Sequence, residues 1–342
     1  MSRVGQNPMK WLHEQPKAQR ITITTIVHVP VLEGFWAESF SVLRLFFRSL
    51  KENTDHPFDL YVFDNGSCTE IQDYLLELRR QGVIQCLILS QHNLRKLGAL
   101  NFLLQVAPGE IISFADSDVL FLPGWLDETL AVLDAFPEAG QVTALPTADT
   151  ADRHCSGTRE AVRRSEDLTL QEGPDLIPEA HIEAHRISLG SSSEEYASRL
   201  LNRQDVQITR RGVSAFVSAQ DFQFTTRRKV LEQVLPLQVT EPGEYYDPVY
   251  SPVLEKRVDA LGFWRLSTTG YRIHHLGNAA PSFAAMPEGI DVDPRLFDAS
   301  GLPAKNEATD QQSHSRPRVS NRYLRRWLKR INTLTYRLLY EP

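Results

Sequence analysis

The chain has 342 residues, a hydrophobic content of 42% and a charged content of 23%, which are ordinary values for a globular protein with a substantial core. No apolar run approaches the roughly 18 residues that a membrane span needs, and the N-terminus lacks the apolar segment of a secretory signal. The three cysteines show no metal-ligand spacing, so we expect a protein of the reducing cytosol without a disulfide framework.

Two kinds of segment alternate strictly over residues 20–147. Apolar, β-branched segments predict strands at 20–30, 58–67, 83–90, 110–118 and 140–147. Segments with apolar residues at helical spacing predict helices at 38–54, 69–82, 96–109 and 124–137. This alternation is typical of βαβ units, so we predict an α/β fold with a mostly parallel central sheet and helices on both faces.

The alternation weakens after residue 147. Residues 148–210 are polar with helical fragments, and we interpret them as an insertion over the active edge of the sheet. Strands and a helix return at 212–236, and a helix, a short strand and a His-His turn are predicted at 248–278. Residues 1–19 are interpreted as an N-terminal extension and residues 281–315 as a linker or loop.

The C-terminal segment 316–342 differs from the acidic remainder of the chain. It carries eight Lys and Arg residues and one Glu, interleaved with apolar residues at helical spacing, although the net charge of the whole chain is -6. A basic amphipathic helix of this kind can lie in an anionic membrane interface, or it can pack on the domain or on a partner. We favour membrane or partner attachment, and we disfavour nucleic acid because the acidic body would repel it.

Polar residues follow each predicted strand of the first half, where ligands of parallel sheets bind. Among them, Asp116 and Asp118 stand one residue apart at the end of a predicted buried strand. Either aspartate alone is often only a turn residue or a helix cap. Two carboxylates on the same side of an extended chain repel each other and favour a cation, and their hard oxygen ligands suit Mg²⁺ or Mn²⁺. We therefore interpret this DXD motif as a metal site.

The segment 62–68 ends the second predicted strand in Asp64, Asn65 and Gly66. An Asn-Gly pair is sufficient to explain a simple turn at this position. Asp64 is nevertheless placed to accept hydrogen bonds from a nucleobase or ribose in the crevice at the edge of the sheet.

Four motifs in order make the first 150 or so residues resemble the nucleotide-binding half of a family 2 glycosyltransferase with the GT-A fold. They are the opening strand to Pro30, "DNGS" after the second strand, "NLRKLGALN" at 93–101 and "DSDVLFLPGWL" at 116–126. The resemblance continues less tightly to about residue 278. It implies a Rossmann-like nucleotide-sugar-binding half at 20–147 and an acceptor-binding half at 148–280.

The resemblance also implies residue roles. Mn²⁺ or Mg²⁺ would be held by Asp116, Asp118 and a histidine, with His275 matching the family pattern better than His274. The nucleotide sugar would be bound by Pro30, Asp64, Asn65, Asn93, Lys96, Asn101 and Asp116.

The sequence departs from the family at two positions. Residues 32–34 read Leu-Glu-Gly where the family usually has a Tyr-Asn-Glu-like triplet, which leaves the choice of nucleobase open. Arg95 stands where many relatives have glycine; it either reaches a phosphate or is an ordinary solvated arginine.

An inverting sugar transfer needs a carboxylate that deprotonates the acceptor hydroxyl. In the family, this acidic residue lies at the start of a helix that follows a loop, and the segment 241–264 fits that description. Asp247 is the preferred base and Glu244 the second choice, although an Asp before a Pro is also an ordinary helix-start signal.

We therefore predict a metal-dependent glycosyltransferase of the hexosyltransferase type that moves a sugar from a UDP- or GDP-sugar to a hydroxyl acceptor, with inversion. The acceptor would be a glycan, a lipid-linked molecule or a small molecule. The expected location is cytoplasmic, either free or peripheral at the inner face of the membrane. The alternatives are a sugar-phosphate nucleotidyltransferase, disfavoured because residues 28–36 lack a Gly-rich run and any Lys or Arg, and a non-catalytic binding module of the same fold.

Overall fold

The computed structural model describes residues 17–150, 154–201, 203–238, 252–280, 286, 290 and 292–297. By compactness, the chain divides into one unit at 1–299 and a second at 300–342. The described residues all belong to the first unit. The predicted basic helix at 316–342, most of the predicted linker and nearly all of the N-terminal extension therefore lie outside the described residues.

The described residues form twelve strands and nine α-helices. The strands are β1 Ile21–Val27, β2 Phe58–Asn65, β3 Cys86–Ser90, β4 Ile111–Asp116, β5 Val119–Phe121, β6 Ala139–Thr143, β7 Thr169–Gly173, β8 Asp205–Arg210, β9 Val213–Val217, β10 Gln223–Arg227, β11 Trp264–Thr268 and β12 Ile273–His275. The helices are α1 Ser39–Glu52, α2 Thr69–Arg80, α3 Arg95–Val106, α4 Trp125–Ala135, α5 Ser156–Arg164, α6 Glu179–Ser188, α7 Ser193–Arg199, α8 Arg228–Val234 and α9 Val253–Ala260.

Ten strands form one central sheet in the order β3-β2-β1-β4-β10-β6-β11-β9-β8-β7. Parallel pairing joins β3, β2, β1 and β4, as the alternating sequence predicted, and also joins β6 to β11. The other pairings in this sheet are antiparallel, beginning with β10 beside β4. The predicted α/β fold is confirmed, and the parallel strands are concentrated in its N-terminal half.

Apolar side chains pack on both faces of this sheet. In β4, Ile111 and Ala115 join the largest core cluster, with residues of α1, α2 and α4. The alternate residues Ile112 and Phe114 join a second cluster, with residues of α3, α8 and α9. Because side chains alternate across a strand, the two clusters lie on opposite faces. The helices therefore cover both faces, as predicted.

Part of the segment 148–210, which we expected to form an insertion over the active edge, belongs to the central sheet. Its last residues form β8, which pairs with β9, and β7 pairs with β8 at the outer edge of the central sheet. Val206 and Ile208 of β8 are fully buried, so this strand is part of the core. The residues of β7 are mostly exposed and polar, which is why their sequence did not indicate a strand.

A separate two-stranded ribbon joins β5 to β12 in antiparallel pairing. His275 is paired with Val119, and His274 with Leu120. The predicted His-His turn is therefore a strand. We call β5 and β12 the β5–β12 ribbon; it links the chain just after Asp118 to the two histidines.

Candidate active site

The carboxylate pair lies at the carboxyl end of the parallel strands. Asp116 is the last residue of β4 and is aligned with Ile26 of β1, and its backbone N–H donates to Phe222 O over 2.7 Å. Asp118 follows one residue later, immediately before β5. Its carbonyl accepts a hydrogen bond of 2.7 Å from Leu276 N at the end of the β5–β12 ribbon. Backbone contacts thus fix both aspartates at the same edge.

The β5–β12 ribbon brings one of the two histidines to the carboxylates. The distance from His275 Nε2 to Asp118 Oδ2 is 3.2 Å. His274 faces the other way, with its Nδ1 2.8 Å from the Tyr271 hydroxyl, and burial followed by the charge of His275 lowers the pKa of His274 to about 4. The sequence left both histidines open, and the structure places His275 at the carboxylate pair.

The contact with Asp118 favours the protonated form of His275. Burial alone would lower the pKa of His275, but the charge and hydrogen bond of Asp118 oppose it and raise the pKa to about 9. The other ring nitrogen, Nδ1, donates to Ser188 O at the end of α6 over 3.3 Å. A residue of the 148–210 segment therefore orients the histidine that contacts Asp118.

Asp118 offers an unused ligand atom. Its Oδ1 is buried and has no hydrogen-bond partner among the residues that the structure describes. An unpaired buried carboxylate oxygen is costly, and a hard cation would satisfy it. Asp118 and His275 together thus fit two ligands of a divalent metal. Within the described ranges, however, no group of three or more His, Cys, Asp and Glu residues is assembled for a metal ion.

Lys96 forms an ion pair with Asp116. Its Nζ lies 2.8 Å from Asp116 Oδ2 and 3.7 Å from Asp221 Oδ2. Burial would lower the pKa of Lys96, but the two carboxylates raise it above its ordinary value. Burial and the neighbouring acids raise the pKa of Asp116 to about 6, against the opposing effect of Lys96. Lys96, predicted as a nucleotide-sugar contact, is therefore at the site, paired to the first aspartate of the motif.

Asp221 was missed by the sequence analysis. It precedes β10, which runs antiparallel to β4, so the start of β10 lies at the same edge as the end of β4. The rule that functional residues follow parallel strands does not find such a position. The available signal was the isolated charge in "SAQDFQF", between apolar residues of two predicted strands.

Asp64 has a different environment from the carboxylate pair. It is fully buried, and its two oxygens accept hydrogen bonds from Ser67 N over 3.1 Å and from Gln72 Nε2 over 3.0 Å. Gly66 of the same turn has a φ of +81°, which favours glycine. In this structure Asp64 organises the turn after β2 and is closed to solvent. Its expected contact with a nucleobase or ribose stays a prediction.

The loops after β1, β2 and β3 are joined by a polar network. His28 Nδ1 donates to Asn65 O over 2.9 Å, and Asn93 Nδ2 donates to His28 Nε2 over 3.2 Å. Asn65 Nδ2 in turn donates to Asn93 Oδ1 over 2.9 Å. Pro30 follows Val29, whose backbone N–H donates to Ser67 Oγ over 3.0 Å. The structure therefore brings Pro30, Asn65 and Asn93 together at one edge, where their predicted binding roles remain predictions.

Asn101 lies apart from this network. Its amide donates to Leu237 O over 2.8 Å and accepts from Leu237 N over 2.7 Å, so it clamps the backbone after α8. Both the oxygen and the nitrogen of the Asn101 amide are therefore used in contacts with the backbone. These contacts differ from the nucleotide-sugar contact that the family resemblance implied.

Arg95 begins α3 with a φ of 59°, in the left-handed region that favours glycine. The glycine expected at this position from the family resemblance suits that backbone conformation. The proposed catalytic bases, Asp247 and Glu244, lie outside the described residues. His185 of α6 is buried, and its Nδ1 lies 2.6 Å from the Tyr196 hydroxyl.

The α/β fold has a carboxylate pair and a histidine at the carboxyl edge of its parallel strands, as the motifs predicted. Residues 34–193 match the family described as glycosyl transferase family 2. The resemblance predicted from the motifs is thereby confirmed over this segment, which contains Asp64, Lys96, Asp116 and Asp118. Comparison with curated protein sequences found no match.

Solved structures of low sequence identity are also similar to the chain. GalNAc-T7 with UDP, GalNAc and Mn²⁺ has 11% identity and a TM-score of 0.45, with 82% of this chain and 47% of that chain covered. The mannosyltransferase PcManGT from Pyrobaculum calidifontis, in complex with GDP-Man and Mn²⁺, has 15% identity and a TM-score of 0.40, with 77% and 60% covered. Glucosyl-3-phosphoglycerate synthase from Mycobacterium tuberculosis, with Mn²⁺, UDP and glucosyl-3-phosphoglycerate, has 14% identity and a TM-score of 0.39, with 75% and 72% covered. The chain therefore spans about half the length of the first of these proteins.

Proposed function

We propose that this protein is a metal-dependent glycosyltransferase that moves a sugar from a nucleotide diphosphate sugar to a hydroxyl acceptor with inversion. One observation carries the proposal. Within or beside the segment that matches family 2, the fold gathers Asp116, Asp118, Lys96 and His275 at the carboxyl edge of the parallel strands. Carboxylates and a histidine suit a divalent cation, and an ammonium suits a diphosphate.

Each side chain has a distinct proposed role. Asp118 and His275 would hold Mn²⁺ or Mg²⁺, with Asp116 as a third ligand once it parts from Lys96. A bound divalent cation supplies charge neutralisation for a leaving diphosphate. Lys96 would then bind a diphosphate oxygen. His275 must release its proton before its Nε2 can coordinate a metal, because only the neutral ring is a ligand.

The acceptor hydroxyl must lose its proton as the new glycosidic bond forms. We assign this step to Asp247, with Glu244 as the alternative, on the family resemblance described above. A carboxylate on the face of the sugar opposite the leaving diphosphate would give inversion. Pro30, Asn65 and Asn93 would line the nucleotide site, and Asp64 would support it from a buried position.

The donor would be a UDP- or GDP-sugar, and the acceptor a glycan, a lipid-linked molecule or a small molecule of the cytoplasm. Ser188, which orients His275, belongs to the segment that we expect to face the acceptor. We also propose peripheral membrane contact through residues 316–342. Among the described residues, no helix is long and apolar enough to cross a membrane.

The first experiment is a thermal-shift panel of UDP, GDP, CDP and dTDP, each with and without Mn²⁺, on the full chain. The proposal predicts stabilisation by one nucleotide, and only when Mn²⁺ is present, because a ligand that binds only the folded state raises the melting temperature. The responding nucleotide would name the base of the donor. If none of the four shifts the melting temperature with metal, the donor-site proposal is wrong and a non-catalytic module becomes the better account.

A further inference from the structure

The positively charged end of Lys96 lies at Asp116, where we expect a metal ion to bind. Its ammonium contacts Asp116 at 2.8 Å, and Asp116 is the first carboxylate of the pair. A divalent cation on Asp116 would repel this ammonium, and a cation on Oδ2 would also compete with it for that oxygen. Binding of a cation to Asp116 therefore favours a move of Lys96 to another partner.

The structure supplies that partner in Asp221. Its Oδ2 already lies 3.7 Å from Lys96 Nζ, so a shift of less than 1 Å would make a direct hydrogen bond. The backbone N–H of Asp116 bonds to the carbonyl of Phe222, the residue after Asp221, at 2.7 Å. The backbones that carry the two carboxylates therefore have a fixed spacing, and the long Lys96 side chain is the element that can move between them.

The surrounding charges favour an incoming cation. Four acidic side chains, Asp116, Asp118, Asp221 and Glu255, interact in this cluster with three basic ones, Lys96, His275 and Arg265. Glu255, at the start of α9, is 3% exposed, and its Oε2 is buried without a hydrogen-bond partner among the described residues. Its charge acts on both Lys96 and Asp221, although buried Arg265 also acts on it. The acidic side chains of this cluster therefore outnumber the basic ones.

We propose that Asp221 is a positioning residue that draws Lys96 away from Asp116 when a divalent cation binds there, and so presents the ammonium to the donor diphosphate. This inference rests on the proposed function. It assigns Asp221 a role in metal and nucleotide binding that the family resemblance did not give it. If Asp221 were only a fixed counter-ion of Lys96, its effect on metal affinity would not depend on the presence of Lys96.

The test is a double-mutant cycle on Mn²⁺ affinity, measured on the full chain by the loss of the free Mn²⁺ signal in electron paramagnetic resonance, without nucleotide. Asp221→Asn is expected to weaken Mn²⁺ binding about 10-fold, the scale of residues that support metal ligands, because Lys96 then stays on Asp116. Lys96→Met is expected to strengthen Mn²⁺ binding, since the competing cation is gone. In the Lys96→Met background, Asp221→Asn should have little effect.

The controls separate this role from general charge. Asp73→Asn removes the same charge from an exposed position on α2 and should leave Mn²⁺ affinity unchanged. Asp221→Glu should keep most of the affinity. Thermal melts of each variant without metal check that the fold is intact.

A second measurement tests whether Lys96 binds the donor diphosphate. Calorimetric titration with the responding nucleotide and saturating Mn²⁺ should show weaker binding for Lys96→Met despite its tighter hold on Mn²⁺. Equal loss of Mn²⁺ affinity from Asp221→Asn with and without Lys96, or no loss at all, would overturn the positioning role alone. If the unaltered protein binds no nucleotide with Mn²⁺, the proposed function itself has failed, and this inference with it.

Discussion

The strand ends after β2 and after β4 both present aspartates at the edge of the same sheet, but the chain uses them differently. After β2, Asp64 is closed to solvent and its own turn supplies a donor to each oxygen. After β4, Asp118 keeps a buried oxygen without a partner among the described residues, and Asp116 is paired with the ammonium of Lys96. A strand-end carboxylate is a candidate ligand when the fold leaves it unsatisfied, and a structural residue when the fold satisfies it.

The largest expected effect is at Asp118, whose buried oxygen has no hydrogen-bond partner among the described residues. Asp118→Asn should weaken Mn²⁺-dependent nucleotide binding by about 100-fold or more, because a direct ligand should cost at least as much as its supporting residues. Titration calorimetry with the nucleotide found in the thermal-shift panel measures the loss. Asp127→Asn, on α4, is the matched control and should bind normally. If Asp118→Asn binds nucleotide as strongly as the unaltered protein and with the same metal dependence, Asp118 is not a metal ligand.

Asp64 should respond in the opposite way. Asp64→Ala leaves two donors without their acceptor at a buried position, so we expect the free energy of unfolding to fall by roughly 2–4 kcal/mol. Urea denaturation measures the change. Asp64→Asn keeps one acceptor oxygen and should lose less. A variant that unfolds like the unaltered protein but no longer binds nucleotide would restore the nucleobase contact that the sequence predicted.

The pairing of His275 with Asp118 predicts a pH dependence of the metal-free protein. The pKa of His275 is about 9 in the folded state, above its ordinary value of 6.5, so the pairing stabilises the fold fully below pH 6.5 and is lost as the pH rises through 9. We expect a loss of roughly 1–3 kcal/mol across this window. Denaturant unfolding between pH 6.5 and 9.5 measures it.

His275→Gln is the control for that dependence, because glutamine keeps a donor but does not titrate. The stability difference between the two proteins should be largest at low pH and shrink at high pH. If their stability profiles are parallel, the His275–Asp118 pair does not form in solution.

Asn101 gives the smallest expected effect. Asn101→Ala removes two hydrogen bonds to the Leu237 backbone and should cost about 1–2 kcal/mol of stability, while nucleotide binding stays the same. Asn101→Asp keeps the acceptor and loses the donor, and should lie between. Weaker nucleotide binding at normal stability would show that Asn101 contacts the nucleotide sugar, as the resemblance implied.

Local sequence patterns predicted the N-terminal half of the fold well. Strands β1 to β4 and helices α1 to α4 each form within two to three residues of their predicted bounds, because strong apolar periodicity and the turn residues after each strand set them. The three-residue strand β5 is too short to show a period. Strand β7 is an exposed edge strand whose residues are polar, so neither alternation nor a buried run marked it.

The candidate site was predicted in part for a related reason. Asp116, Asp118 and Lys96 follow parallel strands or begin the next helix, where a local rule applies. Asp221 and His275 reach the edge through antiparallel pairing, with β4 and β5 respectively, and such long-range register is invisible in one sequence. The saturation of Asp64 and of Asn101 likewise depends on partners that only the folded chain defines.

The β5–β12 ribbon has a consequence for local dynamics. It is only three residue pairs long, yet it sets the distance between Asp118 and His275. Opening the ribbon and releasing a metal are therefore linked equilibria, and a bound ion should slow local opening. The rate of amide hydrogen exchange at Val119–Phe121 and Ile273–His275 would then report the metal occupancy of the site, and this measurement needs no substrate.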